Sequence, residues 1–240
     1  RERLITVDEA ETELGWRSDF AFINGFGPAS MGLRVVQTDV DYSTFLREDW
    51  IRFVYRSTDP RPPGQDFIVL TPENVNSAFE AKETNYSAYA EQVFDFGLWD
   101  LRAGLRYDRD GFADESLVSP RLAANWRLSP VTRLSATAGI FYQSPRFLVR
   151  SASTDNFDIS NEEITHFSVG LQHDFGRNWR LLVEPYYQQL DDLVVAEGRT
   201  SGRVTNDGEG TNYGIDVVVS RFFDNGWSAN ATYSYNNARY

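Results

Sequence analysis

Few residues in this chain sit at spacings that support catalysis. His166 and His173 are seven apart, an odd separation that turns them to opposite faces of a strand, so they cannot share one metal. Glu162-Glu163 and Asp191-Asp192 are sequence neighbours and likewise point apart, whereas glycoside hydrolysis needs two acids facing one bond. No Gly-x-Ser-x-Gly, phosphate-binding glycine loop or His-Glu-x-x-His occurs. Thr205-Asn-Asp-Gly-Glu-Gly210 offers Asp207 and Glu209 to a cation, but its composition reads first as a Gly/Asn loop. The expectation is a protein that is not an enzyme, with no resident cofactor and no metal site. Binding chemistry is better represented. Arg47, Trp50, Arg52, Phe53, Tyr55, Arg56 and Arg61 set guanidiniums among aromatic rings within one long segment. Guanidiniums suit planar anionic groups and aromatic rings suit flat ligands, so these seven are the candidate ligand contacts. The alternative is that they pack the loop onto its own scaffold.

The elements that position these residues alternate with period two, the signature of strands with one apolar and one polar face. Trp99, Leu101, Ala103, Leu105 and Tyr107 alternate with Asp100, Arg102, Gly104, Arg106 and Asp108. The same rhythm runs through 121–128, 133–142, 167–175, 179–188, 212–220 and 227–236. Earlier strands are expected over 11–23 and 31–46, and a further one over 82–95, where Ala78, Ala81, Tyr89 and Val93 also fit helical spacing. The fold expected is all-β, an antiparallel up-and-down meander of about ten strands. Long connections are expected over 47–81, rich in proline, 144–161 and 196–210. On the polar faces, Arg102, Arg106, Arg121, Arg127 and Arg180 are interspersed with Asp100, Asp108, Asp174, Glu184 and Asp216. They read as an ion-pair ladder that sets register, or as the wall of a wet lumen.

Aromatic residues crowd the short turns: Phe96 and Trp99, Trp126, Phe175 and Trp179, Phe222 and Trp227. Short turns with aromatics at one end and long loops at the other form the pattern of a transmembrane β-barrel with its interfacial belt. Its short turns would face the periplasm and its long loops the outside. The 240 residues are 41% hydrophobic and 15% aromatic, without cysteine, so disulfide and thiolate chemistry are absent. A net charge of -12 argues against nucleic acid as a partner. No apolar run approaches the roughly 18–20 residues of a membrane helix. Arg1-Glu2-Arg3-Leu4 has no signal-peptide character, so a mature form or a fragment is expected. A porin-like barrel or adhesin, and a soluble extracytoplasmic β-sandwich that binds carbohydrate, remain alternatives.

The stretch from Tyr86, continuing through Trp99-Asp-Leu-Arg-Ala-Gly-Leu-Arg-Tyr-Asp108, resembles the barrel of TonB-dependent outer-membrane receptors. So do Ser119-Pro-Arg-Leu-Ala-Ala-Asn-Trp-Arg-Leu-Ser-Pro130, Glu184-Pro-Tyr-Tyr187, Asn212-Tyr-Gly-Ile-Asp216 and Ala231-Thr-Tyr-Ser-Tyr235. The resemblance covers residues 82–240 well and 11–46 loosely. It implies a bacterial outer-membrane location and TonB-driven import of a scarce ligand, a ferric siderophore by default. Its partners would be outer-membrane lipid, that small molecule, and TonB through a plug not seen in this sequence. The whole chain, 1–240, is then expected to be one segment of a larger barrel, because about ten strands fall short of the family's 22.

Overall fold

The computed structural model describes residues 5–46, 52–55, 61, 63–70, 75–176, 178–198 and 202–240. Ten strands form one antiparallel sheet: β1 (Ile5–Asn24), β2 (Gly27–Leu46), β5 (Val75–Asp95), β6 (Trp99–Asp110), β7 (Glu115–Ser129), β8 (Thr132–Gln143), β9 (Glu162–Phe175), β10 (Trp179–Ala196), β11 (Val204–Phe222) and β12 (Ser228–Arg239). Each pairs with its sequence neighbour in the sheet. A two-stranded hairpin of β3 (Arg52–Val54) and β4 (Ile68–Leu70) stands apart from it. Among the described residues, ten strands in one continuous sheet beside a single hairpin of three-residue strands are not the two packed sheets of a β-sandwich.

Local chemistry explains the short turns. Asn24, Asp95 and Ser129 end their strands and Asn225 lies in the turn after β11; each side-chain oxygen accepts the N–H two residues on, at 2.8 to 3.4 Å. That is the Asx or Ser turn, which replaces the lost ladder bond locally. Gly97 and Gly226 supply the positive φ (81° and 85°) that these turns need.

Several boundaries differ from those expected. β5 begins at Val75, so the long connection is 47–74 rather than 47–81, and residues 78–93 are strand, not helix. Pairing with β2 on one side and β6 on the other overrides the local helical spacing. The expected loop 196–210 shrinks to 197–203, because β11 starts at Val204 and absorbs Asp207 and Glu209. Those two acids therefore lie in a paired strand, not in a cation-binding loop. The connection after β6 is only 111–114, whereas 144–161 is as long as expected.

Candidate ligand-binding lumen

Register sorts every side chain of the sheet onto one of two faces. Asp100, Arg102, Arg106, Arg121, Arg127, Arg180, Glu184 and Asp216 all fall on one of them. They do not make a continuous ion-pair ladder. Arg180 forms a bidentate pair with Asp174 directly across from it, at 2.7 and 3.3 Å. Arg106 pairs with Asp108 along its own strand, and Arg102 reaches Glu91 at 3.5 Å. Asp100 accepts from Asn125, and Glu184 from Ser168. Arg127 donates to the Gly97 carbonyl at the turn, and Arg121 lies over the Phe141 ring, 4.6 Å from its centroid. Asp216 faces Glu184, a like charge. The neutral partners reflect a face built for water rather than for internal charge balance.

The segment 144–161 folds against this same face. It contains the helical turn α1 (Phe147–Arg150) and a 3-10 turn, Thr154–Asn156. Phe147 and Phe157 pack on Tyr42 and Phe79 of β2 and β5, forming with Val40 and Phe112 a small apolar core. Long-range hydrogen bonds pin the rest. Asn156 is fully buried; it donates to the Val149 and Gly202 carbonyls and accepts from the Val204 N–H. Asn206 of β11 bonds both the N–H and the carbonyl of Ser160. At the loop's base, Ser144 donates to Asp110, and Asn161 donates twice to Glu115. Arg150 is also fully buried and donates to the Phe157 carbonyl at 2.6 Å. Burial pushes its pKa down against the opposing pull of Asp110, Glu115 and Asp158.

Below this loop a cavity of about 440 Å³ opens on the polar wall, lined in part by Glu13, Arg34, Arg106, Asp108, Arg121 and Asn161. Neither Arg34 nor Arg121 has a carboxylate within ion-pair reach among the described residues. The cavity is thus polar, partly enclosed, and carries two guanidiniums outside any ion pair, with Glu13 and Asp108 elsewhere on its wall.

Of the seven loop residues expected from sequence, the three with described side chains, Phe53, Tyr55 and Arg61, do not line this cavity. Arg47, Trp50 and Arg56 lie outside the described residues, and of Arg52 only the backbone, in β3, belongs to them. Phe53 and Tyr55 both pack against Phe67, with centroids 5.3 and 5.5 Å apart, and Arg61 donates to the Tyr55 carbonyl. Arg34, Glu13 and Asn161, which line the cavity, were not singled out by sequence. Their signal was available for Arg34 alone, as a cation on the polar face of a strand.

The opposite face is apolar and bounded by two aromatic rows. At the short-turn end, Trp99 and Trp126 are register partners stacked at 4.6 Å, and Phe96 stacks on Phe94. Phe175 and Trp179 are partners in the same row, and Trp227 is exposed beside it. Phe222 does not belong: register turns it to the polar face, where Arg180 lies over its ring, and Phe223 takes the outward place. Eight residues along six of the strands from the level of this row stands a second one: Tyr86 from Phe94, Tyr107 from Trp99, Tyr142 from Leu134 (the register partner of Trp126), Phe167 from Phe175, Tyr187 from Trp179 and Tyr235 from Trp227. Eight residues span about 26 Å along a strand. At a tilt of about 40° that is a band about 20 Å tall, close to the apolar height of an outer-membrane barrel. Charged residues of the outward face, such as Asp39, Lys82, Arg109 and Asp191, lie beyond the tyrosines.

The family model described as "TonB dependent receptor-like, beta-barrel" matches residues 7–240. The chain belongs to the TonB-dependent receptor β-barrel family.

Solved structures give the same fold. The outer membrane transporter YddB from Escherichia coli aligns at TM-score 0.65 and 14% identity, over 97% of this chain and 34% of its own. The copper transporter OprC aligns at 0.68 and 18%, over 98% and 38%. The siderophore receptor PirA from Pseudomonas aeruginosa aligns at 0.58 and 13%, over 95% and 48%. The chain therefore spans between about a third and a half of these relatives. Among curated proteins no sequence match was found. TonB-dependent receptors are bacterial outer-membrane receptors and transporters, not a class of enzyme. They bind small ligands and TonB. In this TonB-dependent receptor barrel the apolar band is accordingly the lipid face and the charged face is the lumen wall.

Proposed function

We propose that this receptor barrel serves TonB-dependent uptake of a scarce small-molecule ligand across the outer membrane, with a ferric siderophore as the default class. The observation that carries the reading is the lumen cavity holding Arg34 and Arg121 without carboxylate partners. Guanidiniums outside any ion pair in a partly enclosed site favour an anionic, planar ligand group. A ferric catecholate complex has that chemistry. Solved relatives include the ferric-catecholate import receptor Fiu and PirA, which supports the class, although OprC is a copper transporter. The short turns face the periplasm, the loop 47–74 and the inward segment face outward, and a plug carries the connection to TonB. Arg47, Trp50, Arg52, Phe53, Tyr55, Arg56 and Arg61 form the outer contact surface of the ligand path. The 240 residues are one segment of a larger barrel, because the outer edges of β1 and β12 would otherwise leave backbone groups unpaired in lipid.

The test uses the full-length protein. Arg34→Ala and Arg121→Ala should each weaken binding of a ferric tris-catecholate by about tenfold, read by fluorescence quenching, while an uncharged ferric trihydroxamate is unaffected. If neither complex binds the wild type and uptake is indifferent to TonB, the reading fails.

A further inference from the structure

Along the outward face between the two aromatic rows of β5–β12, the described side chains are almost all apolar or small. Tyrosines aside, two are ionisable: His173 and Arg221. His173 is satisfied, with Nδ1 on the Thr132 hydroxyl at 2.8 Å and its ring edge-on to Phe175. Arg221 is different. It lies opposite Trp179 in register, at the level of the short-turn row. Its guanidinium carbon stands 4.9 Å from the Trp179 ring centroid and 4.6 Å from that of Phe223. It is exposed, and no carboxylate among the described residues pairs with it.

A bare guanidinium facing lipid is costly at mid-bilayer, and the cost falls towards zero near the interface. Position alone makes Arg221 tolerable. It does not explain the rings. Aromatic contacts on the guanidinium hold its plane fixed and leave its N–H edge as the free hydrogen-bonding side. A fixed planar fork of donors matches two oxygens of one phosphate. Immediately along the strands, Phe175, Trp179, Leu181, Val219 and Arg180 line a groove of about 310 Å³ that exposes almost only apolar surface, the Arg180 guanidinium being held by Asp174 on the other face. Leu181 and Val219 are register partners one step above Trp179 and Arg221, so the groove starts where the cation ends.

We infer that Arg221, Trp179 and Phe223, with the groove above them, form a binding site for one phospholipid, its phosphate on the guanidinium and an acyl chain in the groove. Cation at the rim and apolar groove towards the band centre is the polarity of a lipid entering from the short-turn leaflet. A free phosphate ion would use only the first half of the site.

The site rests on the membrane-spanning reading above. The experiment is native mass spectrometry of the full-length protein in delipidating detergent, titrated with phosphatidylglycerol, with diacylglycerol of the same chains, and with inorganic phosphate. Phosphatidylglycerol should be retained and diacylglycerol should not. Arg221→Gln should lower retention by about tenfold and Arg221→Lys by less, because the charge persists while the fork is lost. Arg109→Gln, a rim arginine already paired with Asp114, should leave retention unchanged. Equal retention by Arg221→Gln overturns the site, and so does equal affinity for inorganic phosphate. Each variant should still need detergent for extraction. A wild type that is soluble without it would instead overturn the membrane reading itself.

Discussion

Leu171→Arg should destabilise the full-length barrel by about 2–4 kcal/mol in lipid vesicles, a 30- to 900-fold shift in its folding equilibrium. Leu171 lies midway between Phe175 and Phe167 on the outward face, paired with Leu134 and Val183. At that depth an arginine can neither reach the interface cheaply nor find a counter-ion. The neighbouring change Gln172→Arg should cost less than about 1 kcal/mol, because Gln172 points to the wet face beside Arg133 and Leu182. Urea unfolding of the two variants in the same vesicles compares one residue step and one change of face. Equal losses would mean that neither face is lipid.

Asn156→Ala should release the inward segment while leaving the sheet intact. The amide makes three hydrogen bonds across 7 to 48 residues of sequence, all in a fully buried position. Its removal strands the Val204 N–H and the Gly202 carbonyl, each costing about 1–3 kcal/mol if water cannot reach them, while the Val149 carbonyl keeps the Ala152 N–H at 3.3 Å. Local opening of 144–161 should become easier by about 2–5 kcal/mol, the range set by how much water enters. Hydrogen exchange should therefore accelerate by about 30- to 5,000-fold at the amides of 149–161 and 202–206, and little in β6 or β10. Asp155→Ala, an exposed neighbour whose contact with Arg203 is 3.9 Å long, should change exchange by less than about twofold. Unaltered protection in Asn156→Ala would show that the Phe147 and Phe157 contacts alone hold the segment.

Much of the fold was legible because period-two alternation is a local property that pairing preserves. Trp99 through Tyr107 needed no tertiary information to be placed. Where the reading failed, a non-local contact decided. Thr205–Gly210 has loop composition, yet Gly208 sits where a side chain would meet the Leu193 carbonyl at 2.7 Å, beside the β10 bulge. Its glycine permits a close strand approach rather than a turn. Phe222 looked like a belt residue by type, but face is set by register, and a step of one residue reverses it. The inward segment was legible as a loop and not as a structure. Its hydrogen bonds to Glu115, Gly202 and Asn206 span 46 residues, a separation no local pattern encodes. The second aromatic row was present in the sequence as a repeated eight-residue interval and was missed because the tyrosines stand inside strands, not beside turns.

The central claim is that one face of this sheet meets lipid and the other a lumen, with the boundary at the tyrosine row. These 240 residues contain no cysteine, so no native thiol of this segment competes for the label, and any thiol elsewhere in the full-length protein is first replaced by serine. The most direct measurement introduces them one at a time along β10 of the full-length protein in lipid bilayers. Each is labelled with a fluorophore and quenched by nitroxides carried on the lipid chains. Quenching should be strong at Leu181, Val183 and Pro185 and weak at Arg180, Leu182 and Glu184. Beyond Tyr187 it should vanish on the outward face too, so that Gln189 and Asp191 report water. Uniform quenching along the strand, or none at Leu181, Val183 and Pro185, would contradict the account.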